Sequence, residues 1–201
     1  MMKNKYSELI NELSDKELIT HLYSTQILLL IISFVSGMIV FDEFPFLNQI
    51  RWNDPNIIYF GISIGLGIVL LDVILMKVLP KSYYDDGGLN VKIFSNRSIP
   101  HIAVIALMVA VSEELLFRGV IQTTLGMIVA SVIFAIIHYR YLFSPFLLIN
   151  IILLSFLIGF VFEWTGNLAV TIVMHFIIDF LLGIHIKYKN VPKLDCKEEI
   201  Q

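Results

Sequence analysis

The sequence has one cysteine, Cys196, few charged residues and no internal repeat. A single thiol excludes an internal disulfide and any multi-cysteine metal site, and its place near the C-terminus does not make a prenylation box. Charged residues make up 15% of the 201, with a net charge of −3, whereas an ordinary globular domain is about 25% charged. Both signs are scattered through the loops, so no basic face is available and nucleic acid is excluded as a partner. The missing repeat removes the duplicated halves common in secondary transporters. The first 25 residues contain Lys3, Lys5, Glu8, Glu12, Asp15, Lys16 and Glu17, too polar for a cleavable secretory signal. The helical zinc-protease motif, two histidines flanking a glutamate, is also absent, which excludes the usual zincin geometry.

What is abundant is apolar sequence: 57% of residues are hydrophobic and the mean hydropathy is +0.82. A helix needs roughly 20 mostly apolar residues to cross the hydrocarbon, so the chain is expected to be an all-α, polytopic helical membrane protein of about six spans. The apolar tracts place them at 26–41, 57–79, 99–124, 125–139, 145–163 and 167–186, the first and fourth being short. Asp42, Glu43, Pro45, Asn53, Asp54 and Pro55 mark early boundaries, and Pro80 through Ser98 form the longest polar connection. Residues 1–25 are expected to form a cytoplasmic amphipathic leader, 26–186 the transmembrane domain, and 187–201 a cytoplasmic tail. Lys77, Lys81, Lys92 and Arg97 follow the second span and Lys187, Lys189, Lys193 and Lys197 the last, while Arg51 is the one basic residue between the first two spans. The positive-inside rule therefore predicts a cell-membrane protein with both termini cytoplasmic.

The third span carries Ser112, Glu113, Glu114 and Arg118 within apolar sequence. Each ionised group at mid-membrane costs about 2.5 to 3.5 kcal/mol, against about 0.3 to 0.6 returned by each neighbouring Leu or Ile. These groups must be paired, wet or neutralised. Glu114 and Arg118 are four apart on one helical face, within ion-pair reach. Glu113 points about 100° away and is left for chemistry. His138 ends the fourth span, and His175 and Asp179 lie four apart on the sixth, a spacing that suits two ligands of one ion. Counted inward from the turns near Thr124 and Gly166, Glu113, Glu114, His138, His175 and Asp179 fall within a slab about 8 Å thick, because each residue rises about 1.5 Å. Apolar residues would fill that space at no desolvation cost, so convergence from three helices points to a site. Imidazoles with carboxylates suit zinc or a similar divalent ion, held by His138, His175 and Asp179 with Glu113 as a further donor. A glutamate beside a metal-bound water is a general base for peptide hydrolysis.

Glu113, Glu114, Leu115, Leu116, Phe117, Arg118 and Gly119, then Phe134 with His138, then His175 with Asp179, resemble the three motifs of the CAAX prenyl protease and bacteriocin-processing family of intramembrane proteases. The resemblance covers 99–186. It implies that Glu113 is the catalytic glutamate, that Glu114 and Arg118 support the site, and that His138, His175 and Asp179 complete it. It also implies a peptide or membrane-protein substrate. Asp179 departs from the asparagine of the best-known eukaryotic members; an ionised carboxylate cannot donate to an oxyanion, which favours a metal-ligand role here. A bound metal and a metal-free glutamate and histidine pair both stay open as mechanisms.

Two readings from other classes compete: a proton-coupled transporter, because intramembrane Glu, His and Asp also build proton relays, and a non-catalytic immunity or interaction protein. Asp72 reads as an interhelical hydrogen-bonding acid. Trp52, Tyr139, Tyr141 and Trp164 read as interfacial aromatics, and Gly61, Gly65 and Gly67 as a small-residue packing face.

Overall fold

A computed structural model describes residues 8, 10, 12–41 and 48–189, which form helices joined by short turns with no strand among them. Lys3, Lys5, Asp42, Glu43, Pro45, Lys193, Cys196 and Lys197 lie outside these residues. Helix α1 is Asp15–Val40, and α2, Ser63–Val78, continues a π-helical turn at Ile57–Ile62. Two short helices follow, α3 at Lys81–Tyr84 and α4 at Leu89–Phe94. Helix α5 is Ile99–Glu114 and runs directly into a π-helical segment, Leu115–Gln122. Helix α6 is Met127–Ile137, α7 is Pro145–Thr165 and α8 is Leu168–Lys189.

Among the described residues, four helical stretches are long and apolar enough to cross a membrane: Asp15–Val40, Ile57–Val78, Pro145–Thr165 and Leu168–Lys189. The third expected span is helical across its length but divided, with 16 residues of α-helix and 8 of π-helix. The fourth, at 11 residues, is the short one.

The largest boundary difference is at the start. The first helix does not begin near residue 26 but at Asp15, so the second half of the expected leader is continuous with the first span. Ser14 explains the position. Its side chain accepts from the Glu17 backbone N–H at 3.2 Å while the Glu17 carboxylate accepts from the Ser14 N–H at 2.8 Å, a complete capping box. Lys92 Nζ donates to the carbonyls of Ile10 and Leu13, and Arg97 donates to Asp15 O, so the basic connection ties this end down.

Helix α8 is the centre of the bundle, packed against α5, α2, the first π turn and α7. It runs parallel to α2, and the contact is close enough to require glycine: a Cβ on Gly61 would lie 2.9 Å from Val170 O. Gly67 is different, with nothing within 4 Å of its Cβ position. Two residues beyond Gly65, it is rotated about 200° to the far side of the helix, so the packing face comprises Gly61 and Gly65 without it.

At the end carrying Gly126 and Gly166, the turns are held by polar groups. Gly126 (φ 85°, ψ 164°) adopts a backbone conformation open only to glycine. The Arg51 guanidinium donates to Thr165 O and Gly166 O, capping α7. Asn167, fully buried, accepts from the N–H groups of Arg51 and Ala169 at 3.0 Å each. The Asn56 N–H and the Asn167 amide hold the Asp54 carboxyl below the usual carboxylate range.

Candidate active site

Helix α5 starts at Ser98, whose side chain accepts from the His101 N–H, with Pro100 in the first turn. It delivers Ser112, Glu113 and Glu114 to the bundle interior at 0, 7 and 0% exposure. The two glutamates then part company. Glu114 Oε2 stands 3.4 Å from Arg118 Nε, and Glu114 Oε1 accepts from His175 Nδ1 at 3.0 Å. Arg118, also fully buried, donates through Nη2 to Ser155 O and lies 5.2 Å over the Phe134 ring. Such a pair repays its desolvation only while both partners are present. Glu113 Oε2 has no such clamp; it faces His175 Nε2 at 4.0 Å.

His175 is therefore the hub. One ring nitrogen is fixed by Glu114, and the other faces Asp179 Oδ2 at 3.5 Å and Glu113 at 4.0 Å. The four-residue spacing on α8 brings Asp179 onto the same face, where its side chain is 32% exposed. His138 caps α6, its Nδ1 donating to Phe134 O at 2.8 Å, which in the neutral ring leaves the lone pair on Nε2. The Phe134 ring lies between the histidines, 4.7 Å from His138 and 6.3 Å from His175. The structure thus joins Glu113, Glu114, Arg118, His175 and Asp179 by direct contacts, and reaches His138 through Phe134.

His138, His175, Asp179 and Glu113 are the donors a divalent ion would draw on. Among the described residues, however, no group of three His, Cys, Asp or Glu side chains is arranged to hold one.

Some contributors carry no motif. Gln26 on α1, 8% exposed, accepts from Ser112 Oγ at 2.5 Å, fastening the first span beside Glu113. Ser131 on α6 and Ser155 on α7 each donate to the other's carbonyl, at 3.2 and 3.1 Å. Their only signal in the sequence is a small or polar residue within an apolar run, the type that joins helices in lipid. Tyr141, unlike the exposed Tyr139, is half-buried and stacked on His138, with ring centroids 6.0 Å apart. Asp72, 3% exposed, accepts from the Asn150 amide of α7 at 3.0 Å, the interhelical role expected of it.

The fold and the polar cluster define a polytopic membrane protein with a buried carboxylate and histidine site. The family of type II CAAX prenyl endopeptidases, Rce1-like, matches residues 95–181, the segment that carries every one of these groups. A Bacillus subtilis (strain 168) protein, "Uncharacterized protein YpbD", is 42% identical over 179 residues, covering 88% of this chain and 94% of its own length. No solved structure matches. The chain belongs to the CAAX prenyl protease and bacteriocin-processing family, which at family level is one of intramembrane proteases.

Proposed function

We propose that the protein is an intramembrane endopeptidase that hydrolyses a peptide bond in a membrane-associated peptide or protein segment, with Glu113 activating the attacking water. One observation carries this reading: Glu114 is committed to Arg118 and His175, whereas its neighbour Glu113 makes no hydrogen bond among the described residues. Membership of a protease family supports it.

In this mechanism Glu113 takes a proton from water as the water oxygen bonds to the scissile carbonyl carbon. His138 Nε2 accepts a hydrogen bond from the same water and orients it. Charge developing on the carbonyl oxygen lies beside His175, which in its doubly protonated form donates from Nε2 while Glu114 holds Nδ1. Asp179 cannot donate to that oxygen; at 3.5 Å from Nε2 it keeps the ring turned toward Glu113. Collapse of the tetrahedral species breaks the C–N bond, and Glu113 returns its proton to the leaving nitrogen.

The Lys and Arg distribution supports a cell-membrane location with both termini cytoplasmic, which would turn the His138 end of the bundle toward the cytoplasm.

Cleavage of a panel of single-span membrane reporters by the purified protein tests the reading. Glu113→Gln and His138→Ala are each expected to abolish cleavage with insertion and folding intact; full activity in either sinks the assignment. A biological effect that survives Glu113→Gln would favour the immunity or interaction role instead. Metal content of the wild type and of a His138→Ala/His175→Ala variant tests the remaining expectation. About one equivalent of zinc, lost in the variant, would replace the side-chain mechanism with a metal-bound water.

A further inference from the structure

Helix α6 stops at Ile137, and the chain folds back at once. The His138 N–H bonds to Ala135 O at 3.2 Å, and the Tyr141 N–H to His138 O at 2.9 Å, closing a tight turn. The turn brings the Tyr141 ring back over His138, 20° from parallel. Phe134, one helical turn earlier, covers the imidazole from α6 at 4.7 Å. The imidazole thus lies beside two aromatic rings, Phe134 and Tyr141, while its Nδ1 is fixed by Phe134 O.

Tyr141 is itself fixed. Arg140 Nη2 donates to the Tyr141 hydroxyl at 2.7 Å, and the Arg140 guanidinium lies 4.6 Å from the centre of the same ring. On its apolar side the ring packs on the cluster of Leu116, Phe117, Phe134 and Ile151. A membrane-surface anchor needs none of these contacts. Tyr139, two residues away, behaves as an anchor would, at 63% exposure.

We propose that Tyr141, braced by Arg140, is a positioning residue that holds the His138 imidazole in register with Glu113. The inference rests on the reading of His138 as part of the catalytic machinery. An imidazole at a helix terminus has two free torsions, and only its Nδ1 contact is local. Two aromatic rings beside it, one of them stacked at 20° from parallel, restrict the remaining freedom, which is how a general-base pair is kept within the small displacements that proton transfer tolerates.

Acylation by diethyl pyrocarbonate, followed peptide by peptide by mass spectrometry on the full-length protein in detergent, tests this without requiring turnover. His138 is expected to react slowly in the wild type and in Tyr141→Phe, which keeps the ring, and faster in Tyr141→Ala. With a cleaved reporter, Tyr141→Ala lowers kcat with KM unchanged, and Tyr141→Phe restores kcat. Equal acylation of His138 in all three proteins, or a wild-type kcat in Tyr141→Ala, overturns the positioning role. Full activity of His138→Ala would overturn the catalytic reading of that histidine while leaving the acylation result to stand. If Tyr141→Ala fails to fold, Tyr141→Leu, which keeps an apolar side chain against that cluster but offers no ring, replaces it in both measurements.

Discussion

The outer and inner helices of this bundle solve different problems. The spans at Asp15–Val40 and Ile57–Val78 bury 17% of their most apolar window, whereas those at Pro145–Thr165 and Leu168–Lys189 bury 39% and 44%. Ile39, Met38 and Leu70 stand 78, 70 and 62% exposed, as residues that meet lipid should. Arg118, Glu114 and Ser112, by contrast, are fully buried. In a soluble protein the ionised residues would be outside and the leucines inside. Here lipid takes the apolar side chains and the interior keeps the polar ones, because carboxylates and a guanidinium are tolerable at mid-membrane only where they find one another. The difference gives the polar cluster to the inner helices and the lipid-facing surface to the outer ones, with Gln26 to Ser112 and Asp72 to Asn150 among the bonds that join the two sets.

If that division holds, substitutions should separate into effects on chemistry, on stability and on neither. The largest is the loss of cleavage in Glu113→Gln, because removing a general base costs about 10²- to 10⁴-fold in rate, with little change in thermal stability. Glu114→Ala should do the reverse first. It strips Arg118 and His175 of a shared partner, and breaking a buried pair from one side costs about 3 to 5 kcal/mol. Thermal unfolding in detergent should fall sharply, with loss of activity following from loss of fold. A Glu114→Ala protein as stable as the wild type would show that Arg118 has another anion, and would weaken the distinction between the two glutamates.

Much of this was legible in the residues themselves. The i to i+4 spacings of Glu114 with Arg118 and of His175 with Asp179 fix side chains on common faces whatever the bundle does, and both pairs are in contact. What the pattern could not fix is rotation. A helix apolar nearly all round has no stripe to say which face turns inward. The bond from Ser112 to Gln26, 86 positions away, and that from Asn150 to Asp72 depend on that rotation. The π-helical widening after Glu114 has no signature in the sequence either. The contact of Tyr141 with His138 is hidden in the sequence for a related reason. An aromatic just past a span has the composition of a surface anchor, and only the turn at 138–141 carries it back onto the histidine.

The outer pair is not uniformly indifferent, and Gly61 is where that can be broken. Gly61→Ala drives a methyl to 2.9 Å from Val170 O, a backbone atom on the central helix that cannot swing away. Overpacking of this kind costs about 1 to 3 kcal/mol, and because Val170 lies upstream of His175 on α8, cleavage should fall with stability. Asn150→Leu comes next. It removes the donor to Asp72, and interhelical hydrogen bonds in membranes are worth about 0.6 kcal/mol on average. A much larger loss would mean that Asp72, rather than accepting one amide, organises the contact between α2 and α7.

Gly67→Ala is the smallest expected effect and the sharpest control. Gly67 lies on the same helix as Gly61 and belongs to the same run of glycines in the sequence, yet its added methyl meets no protein atom within 4 Å. Replacing glycine by alanine in a helix favours the helix by roughly 0.5 to 1 kcal/mol where space allows, so Gly67→Ala should unfold at the same temperature as the wild type or slightly above it, with unchanged cleavage. The comparison with Gly61→Ala then isolates the α2 and α8 contact from helix propensity, since both variants gain the same propensity and only one loses the packing. Equal destabilisation by the two would mean that Gly67 also faces protein, and that the outer helix meets more than lipid on its far side.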